Sequence, residues 1–251
     1  MKLTLIRNAT LRLTYAGHTF VIDPYLATKG SLPAYANVSP NPLVELPMPA
    51  ADVLHGSEMT LVSHLHTDHF DAAAQHRLPQ DHPLLCQPAD EARIRDKGFQ
   101  NVTPIAGTHT WGNMRIHRVN GRHGTSPAIL RLMGPVSGFV LQATDEPTLY
   151  WVGDSVWYED VAAAIDQWQP DVIVTHSGGA VWGNEQEAII MDAAQTVAVC
   201  QHAPHSTVIA THLEALDHCL TSRAALRQAA TDAHISPARL RIPADGEAIT
   251  L

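Results

Sequence analysis

The chain has little cysteine: three in 251 residues, at Cys86, Cys200 and Cys219. They are odd in number and far apart, with no C-x-x-C pair. A disulfide framework and a cysteine-built structural zinc site are both excluded, and the cysteines read as reduced thiols. Positive charge is also short. Sixteen Lys plus Arg face 25 Asp plus Glu, for a formal net charge of −9, and no basic cluster stands out. Gripping a nucleic-acid backbone needs clustered positive charge, so no nucleic-acid partner is expected. No apolar run approaches the length of a membrane span, so no membrane partner is expected either. The opening "MKLTLIRNATLRLTYAG" has no apolar signal-peptide core, which fits a cytoplasmic protein. Gly/Ser tracts, charge blocks and internal repeats are missing, so residues 1–251 are expected to form a single domain. A nucleophile motif of the G-x-S-x-G type is missing too.

Histidine is abundant, at 16 residues, and it is concentrated. The stretch "LVSHLHTDHFD", residues 61–71, follows an apolar run. His64 and His66 are two apart, so an extended backbone points both imidazoles to one side. Asp68 and His69 follow just before a helix expected near Asp71. A strand that turns into a helix there presents four ligand-type side chains to one small volume. Imidazole with carboxylate, and without thiolate, suits zinc, iron or manganese.

The rest of the chain supplies partners for such a cluster. "KLTLIR", "TLRLTYAGHTFVID" and "TLVSH" read as strands, with "AG" as a hairpin turn. Residues 24–50, rich in proline, read as a long loop of the functional kind. "DAAAQHR" and "PADEARIRDKG" read as helices. The middle reads as strand throughout: "MRIHRVN", "AILRLM", "GFVLQAT", "TLYWVGD". After it, helices ("YEDVAAAIDQW", "MDAAQTVAVCQHA", "TSRAALRQAATDA") alternate with strands ("PDVIVTH", "STVIATH", "LRIP"). This pattern predicts a layered α/β architecture. Apolar strands stop at His123, Asp154 and His212, each a polar, metal-competent residue. That is the arrangement a metal site at one sheet edge requires.

Other polar residues carry weaker signals. His176 ends "DVIVTH" before two glycines. It is a candidate for touching substrate or protonating a leaving group, weighed against a hydrogen-bonded structural histidine. Glu214 and His218 follow His212, either behind the ligands or on a helix surface. Tyr25 and Tyr35 are candidates for a pocket wall, since functional residues concentrate on loops.

H-x-H-x-D-H, a later His, a Gly-Asp and a final His together resemble the metallo-β-lactamase-fold superfamily. "VIDPYLA" resembles its first motif, "HLHTDHFD" the second, His123 the third, "VGDS" the fourth and His212 the fifth. "IDP", "HFD" and "SGGA" resemble the branch of the ascorbate-6-phosphate lactonases and uncharacterised Zn-dependent hydrolases. The resemblance implies a four-layer αββα sandwich, two mixed β-sheets flanked by helices, with two divalent metal ions at one edge. Zinc is the first choice, with manganese or iron as alternatives. It further implies that His64, His66 and His123 hold one ion, that Asp68, His69 and His212 hold the other, and that Asp154 bridges them. Asp23 would hydrogen-bond toward the ligand loop and fix its geometry.

Two such ions can share a hydroxide and polarise the attacked bond, which makes a dedicated Ser or Cys nucleophile unnecessary. Asp68 is the candidate to orient that hydroxide. The expected activity is a dinuclear metal-dependent hydrolase acting on a small ester-like molecule, a lactone or a phosphodiester. The chain is compatible with a homo-oligomer. A single-iron sulfur dioxygenase shares overlapping ligands and is the oxidoreductase alternative. A non-catalytic binding protein on the same fold is the other, and it would be expected to have lost ligands.

Overall fold

The computed structural model describes residues 1–251 and is built on two seven-stranded sheets. The first contains β1 (Lys2–Arg7), β2 (Thr10–Tyr15), β3 (His18–Ile22), β4 (Thr60–Val62), β5 (Leu84–Cys86), β6 (Val102–Pro104) and the C-terminal β16 (Ala248–Thr250), in the order β16-β1-β2-β3-β4-β5-β6. The second contains β7 (Thr108–Trp111), β8 (Met114–Asn120), β9 (Ser137–Gln142), β10 (Leu149–Trp151), β11 (Val172–His176), β14 (Thr207–Thr211) and β15 (Leu240–Arg241), in the order β15-β14-β11-β10-β9-β8-β7. A small ribbon pairs β12 (Val181–Trp182) with β13 (Glu187–Ala188).

Strand alternation explains why the sheets stack. Leu3, Leu5, Leu11, Leu13, Phe20 and Ile22 of the first sheet meet Met114, Ile116, Phe139, Leu141, Trp151 and Val174 of the second in one buried cluster. Side chains two apart on a strand share a face, so the intervening residues turn outward. Val21, Val62 and Leu84 pack on α1 (Ala50–Leu54), α2 (Ala72–Arg77) and α3 (Glu91–Arg95) through Val53, Ala74 and Ile94. Val140, Tyr150, Ile173 and Val208 pack on α5 (Glu159–Trp168), α6 (Ala193–His202) and α7 (Arg223–Asp232). The layers are therefore helix, sheet, sheet, helix, as expected. Truncating a central ring such as Phe139 costs about 3–5 kcal/mol.

One element differs from the sequence expectation. "AILRLM" is not a strand but part of α4 (Pro127–Met133). The overlooked signals precede it: Ser126 caps Ile129 N–H through its side chain, and Pro127 occupies the first turn, where its missing N–H costs nothing. The hairpin at Ala16–Gly17 is as expected, with both residues in the left-handed region at φ 53° and 82°.

Strand direction places the site. β1 and β3 each pair antiparallel with β2, and β3 runs parallel to β4. β8 and β10 each pair antiparallel with β9, and β10, β11 and β14 are parallel. Strands that run together end together. Asn8, Asp23 and His64 therefore follow their strands at one edge of the first sheet. His123, Asp154, His176 and His212 do so at the matching edge of the second.

Candidate metal centre

The two edges meet in a buried knot of imidazoles and carboxylates. After β4 the chain stays extended through His64 and then turns. The N–H groups of His69 and Phe70 both bond to the carbonyl of His66. Asp71 then caps α2 by accepting from Ala74 N–H. This tight turn brings His64, His66, Asp68 and His69 to one place, as the spacing predicted.

The ring and carboxylate atoms fall into two sets, each with all ligand atoms within 4.8 Å of one another. One is His64, His66, His123 and Asp154; the other is His69, Asp154, His176 and His212. Asp154 belongs to both. Its Oδ2 lies 3.2 Å from His69 Nε2, 3.5 Å from His123 Nε2 and 3.8 Å from His64 Nε2. Its Oδ1 lies 3.7 Å from His212 Nε2. Asp68 Oδ2 stands beside the second set, 3.1 Å from His212 Nε2 and 3.4 Å from His69 Nε2.

Partners behind the rings fix which nitrogen faces inward. Asp23 Oδ2 accepts from His69 Nδ1 at 2.8 Å and from the Ser63 hydroxyl at 2.6 Å. With its only hydrogen so used, the Ser63 oxygen accepts from His64 Nδ1 at 3.0 Å. One carboxylate thereby holds Nδ1 of two imidazoles, directly or through Ser63, and leaves both Nε2 atoms directed at the knot. His123 Nδ1 donates to the Ile189 carbonyl at 2.7 Å, with the same result. Asp23 (φ 47°) and His212 (φ 61°) both adopt the left-handed conformation.

His176 is fully buried, and its Nδ1 donates to Asp154 Oδ1 at 2.5 Å. It does not line the cavity beside the knot, so it stands behind Asp154 rather than facing a bound molecule.

The field inside the knot is divided. Burial pushes His123 down to about 4 and His64 well below the ordinary histidine range. Burial also opposes charge on His69 and His212, but carboxylates outweigh it. Asp154, Asp68 and Asp23 hold His69 well above its usual range, and Asp154 and Asp68 push His212 up to about 10. Asp68 and Asp154 stay ionised despite burial because His69 and His212 face them. The carboxylates therefore draw positive charge to this point.

The donors fit metal ions. His64 Nε2 is buried with no hydrogen-bond partner, which is costly in a protein interior unless something else satisfies it. Imidazole nitrogen and carboxylate oxygen are what zinc and similar divalent ions take.

Sequence reasoning missed several contributors. Asn8 Nδ2 donates to both the backbone oxygen and Oδ2 of Asp68, and its carbonyl accepts from His212 N–H. It also ends an apolar strand, so the rule that found His123 would have found it. Cys219 Sγ lies 3.7 Å from His212 Nδ1. Tyr35 lines the cavity as expected. Tyr25 does not: it is fully buried beneath the loop, with Arg7 over its ring at 4.7 Å. Glu214 faces away, paired with Arg223 at 2.7 Å.

The comparisons with known proteins agree with this geometry. Residues 18–213 match the family model described as a beta-lactamase superfamily domain. The chain belongs to that superfamily. It is 34% identical to the UPF0173 protein YddR of Bacillus subtilis over the full length of both chains. A solved possible metal-dependent hydrolase from Veillonella parvula is 33% identical, with a TM-score of 0.96, over 100% of this chain and 99% of the other. An isothiocyanate hydrolase from Delia radicum gut bacteria is 35% identical, with a TM-score of 0.95 over the same shares. The protein is a metal-dependent hydrolase of the metallo-β-lactamase superfamily. No helix in this metallohydrolase is long and apolar enough to cross a membrane.

Proposed function

We propose that this hydrolase holds two divalent ions and acts on a small electrophile with an apolar tail, an isothiocyanate foremost. The observation that carries the substrate class is the cavity of about 290 Å³ beside the knot. His66, Asp68, His123, Asp154 and His212 form one wall, and Leu65, Leu132, Met133, Trp182, Ile189 and Ile190 form much of the rest. The three large apolar side chains left exposed on the molecule are Val38, Leu132 and Leu220. Leu132 lines this cavity, Val38 shares a loop with Tyr35, and Leu220 bonds through its N–H to Gly179, next to the lining residue Ala180. An apolar mouth leading to a polar floor suits a molecule with one reactive end. No Lys or Arg lines the cavity, so beyond the ions themselves the lining adds no side-chain cation for a phosphodiester. The likeness to the isothiocyanate hydrolase supports the same substrate class.

His64, His66 and His123 would hold one ion, His69 and His212 the other, with Asp154 between them. Asp68 is the better fourth donor for the second ion, because its carboxylate is paired with both His69 and His212 and faces the cavity, whereas the His176 ring is hydrogen-bonded to Asp154 and lies behind it. A bound divalent ion would lower the pKa of coordinated water, to about 7 in the case of zinc, and polarise the attacked group. The chain's own part is positional. Asn8 fixes Asp68, whose carboxylate faces the cavity and can orient water. Asp23 and Ser63 fix two imidazoles. The apolar wall aligns the tail so that the electrophilic carbon faces the donors. For an isothiocyanate, the water oxygen joins carbon and a proton joins nitrogen. The resulting thiocarbamic acid breaks its C–N bond to give an amine and carbonyl sulfide.

A lactone with an apolar tail is the second reading, since the same floor serves a carbonyl carbon. The test is turnover of phenethyl isothiocyanate and of an alkyl-substituted lactone by metal-loaded protein, before and after chelation. Chelator-sensitive release of amine is expected. Inertness toward both, with oxygen uptake in the presence of a persulfide, would mean a dioxygenase instead.

A further inference from the structure

His218 is 6% exposed and lines the cavity alongside Asp68 and His212; its Nδ1 is wholly buried without a hydrogen-bond partner, so Nε2 is the ring nitrogen left to meet a molecule in the cavity. A buried imidazole without a partner normally signals a missing one. Apart from the Trp182 indole N–H, the other polar side chains on this wall are already engaged. The Tyr35 hydroxyl and Thr67 Oγ1 bond each other at 2.5 Å, and the remaining ones belong to the knot.

The ring is also held still. Tyr35 meets it edge-on with centroids 5.1 Å apart, and Trp182 does so at 6.2 Å. Its neighbour Asp217 anchors the segment carrying Tyr35, accepting from the N–H groups of Tyr35, Ala36, Val38 and Ser39. The backbone N–H of Val181, next to Trp182, bonds to the His218 carbonyl at 3.3 Å. Three segments therefore converge to fix one imidazole that bonds to none of them through its ring. A ring held in this way is preorganised toward whatever enters the cavity.

We propose that His218 is the substrate's polar anchor, hydrogen-bonding the heteroatom next to the attacked carbon. A neutral imidazole offers one N–H and one lone pair. In an isothiocyanate the N–H reaches the nitrogen on which charge gathers as carbon is attacked; in a lactone it reaches a ring or carbonyl oxygen. The proposal rests on the cavity being the substrate site. It adds a selectivity: the cavity prefers ligands that combine an apolar tail with a hydrogen-bonding head over hydrocarbons of the same shape.

The test separates binding from turnover. Calorimetry on full-length, metal-loaded protein compares phenylacetamide, which is inert and carries an amide head, with ethylbenzene, which has no head. Wild type should bind phenylacetamide at least about ten-fold more tightly, the equivalent of one good buried hydrogen bond. His218→Phe should remove that preference while leaving ethylbenzene affinity and metal content unchanged. His218→Gln, which keeps a donor and an acceptor, should restore part of it. With phenethyl isothiocyanate, His218→Phe should lower kcat/KM by about the same factor or more. Equal loss of both ligands would make His218 a structural wedge and overturn the proposal. So would a wild type with no preference for the amide. A preference that survives in His218→Phe would place the recognition elsewhere, on the ions for instance, and overturn the proposal; a preference lost in His218→Phe without any isothiocyanate turnover would leave His218 an anchor and refute the proposed substrate instead.

Discussion

Asp23 Oδ2 lies 2.8 Å from His69 Nδ1, and neither residue is exposed at all. The same oxygen holds the Ser63 hydroxyl, which in turn receives His64 Nδ1. This makes Asp23 the common determinant of two inward-facing nitrogens. Asp23→Asn keeps the volume but puts an NH2 group in place of one oxygen, so either the two bonds to Oδ2 or the one from Ser63 N–H to Oδ1 at 2.7 Å loses its acceptor. Metal affinity should fall by about 10–100-fold, the usual effect of disturbing a partner behind a ligand, while the circular dichroism spectrum stays native. Competition against a chelator of known affinity measures it. Unchanged affinity would falsify this role for Asp23.

Cys219 stands behind His212 as Asp23 stands behind His69, with Sγ 3.7 Å from Nδ1. A thiol is a weak partner, so its removal should be milder. Cys219→Ala should weaken metal binding by about ten-fold, the low end of such effects. Cys200→Ala is the control, because Cys200 packs among apolar residues of α6 and β14. If the two variants retain metal equally well, the sulfur contributes only packing.

Asp217 holds Tyr35 over the cavity. Its backbone and side-chain hydrogen bonds, with that from Asn41 among the strongest, outweigh burial and keep its carboxyl below the ordinary range. A depressed carboxyl contributes stability above its unfolded pKa and loses it as pH falls through the lower, folded value. The clamp should therefore stay closed through the ordinary carboxylate range, near pH 4, and release only below it. Amide hydrogen exchange at Tyr35, Ala36, Val38 and Ser39 reads this directly. Asp217→Asn should speed exchange at these amides by about ten-fold and raise KM more than it lowers kcat. Exchange in wild type that accelerates well above pH 4 would show that another group controls the loop.

The metal donors were legible because each sits where an apolar strand stops, and strand ends are marked by a change of residue type. Asn8 obeys the same rule, although asparagine at a strand end is also an ordinary turn residue. Ser63 gave no signal: its role depends on a carboxylate 40 positions away in sequence. Pairings of this kind are tertiary, and no local pattern encodes them. The misread segment at residues 127–133 shows the opposite weakness. Its apolar run is too short for periodicity to separate helix from strand, and only the Ser-Pro cap decides. His218 lay between two readings because a short segment after a strand can be loop or helix. The loop conformation, with Glu214 at φ 60°, is what turns it into the cavity.

Asp154 is the one residue that both donor sets contain, so it separates a two-ion site from a one-ion site with unused neighbours. Its two oxygens face different partners: Oδ2 the rings of His64, His69 and His123, Oδ1 those of His176 and His212. Elemental analysis of loaded wild type should approach two ions per chain. His212→Ala should lose the second ion and keep the first, because the first set does not include it. Asp154→Ala should lose at least one ion and cut kcat/KM by about 100-fold or more, as removal of a central electrostatic group does. His176→Ala should be gentler: it frees one carboxylate oxygen of its hydrogen bond without removing that oxygen. Asp171→Ala is the control, since that carboxylate only accepts from Thr148 N–H far from the knot. Saturation of wild type at one ion, unchanged in His212→Ala, would leave the second set without a metal and reduce Asp154 to an ordinary ligand. An active Asp154→Ala would remove it from the site altogether.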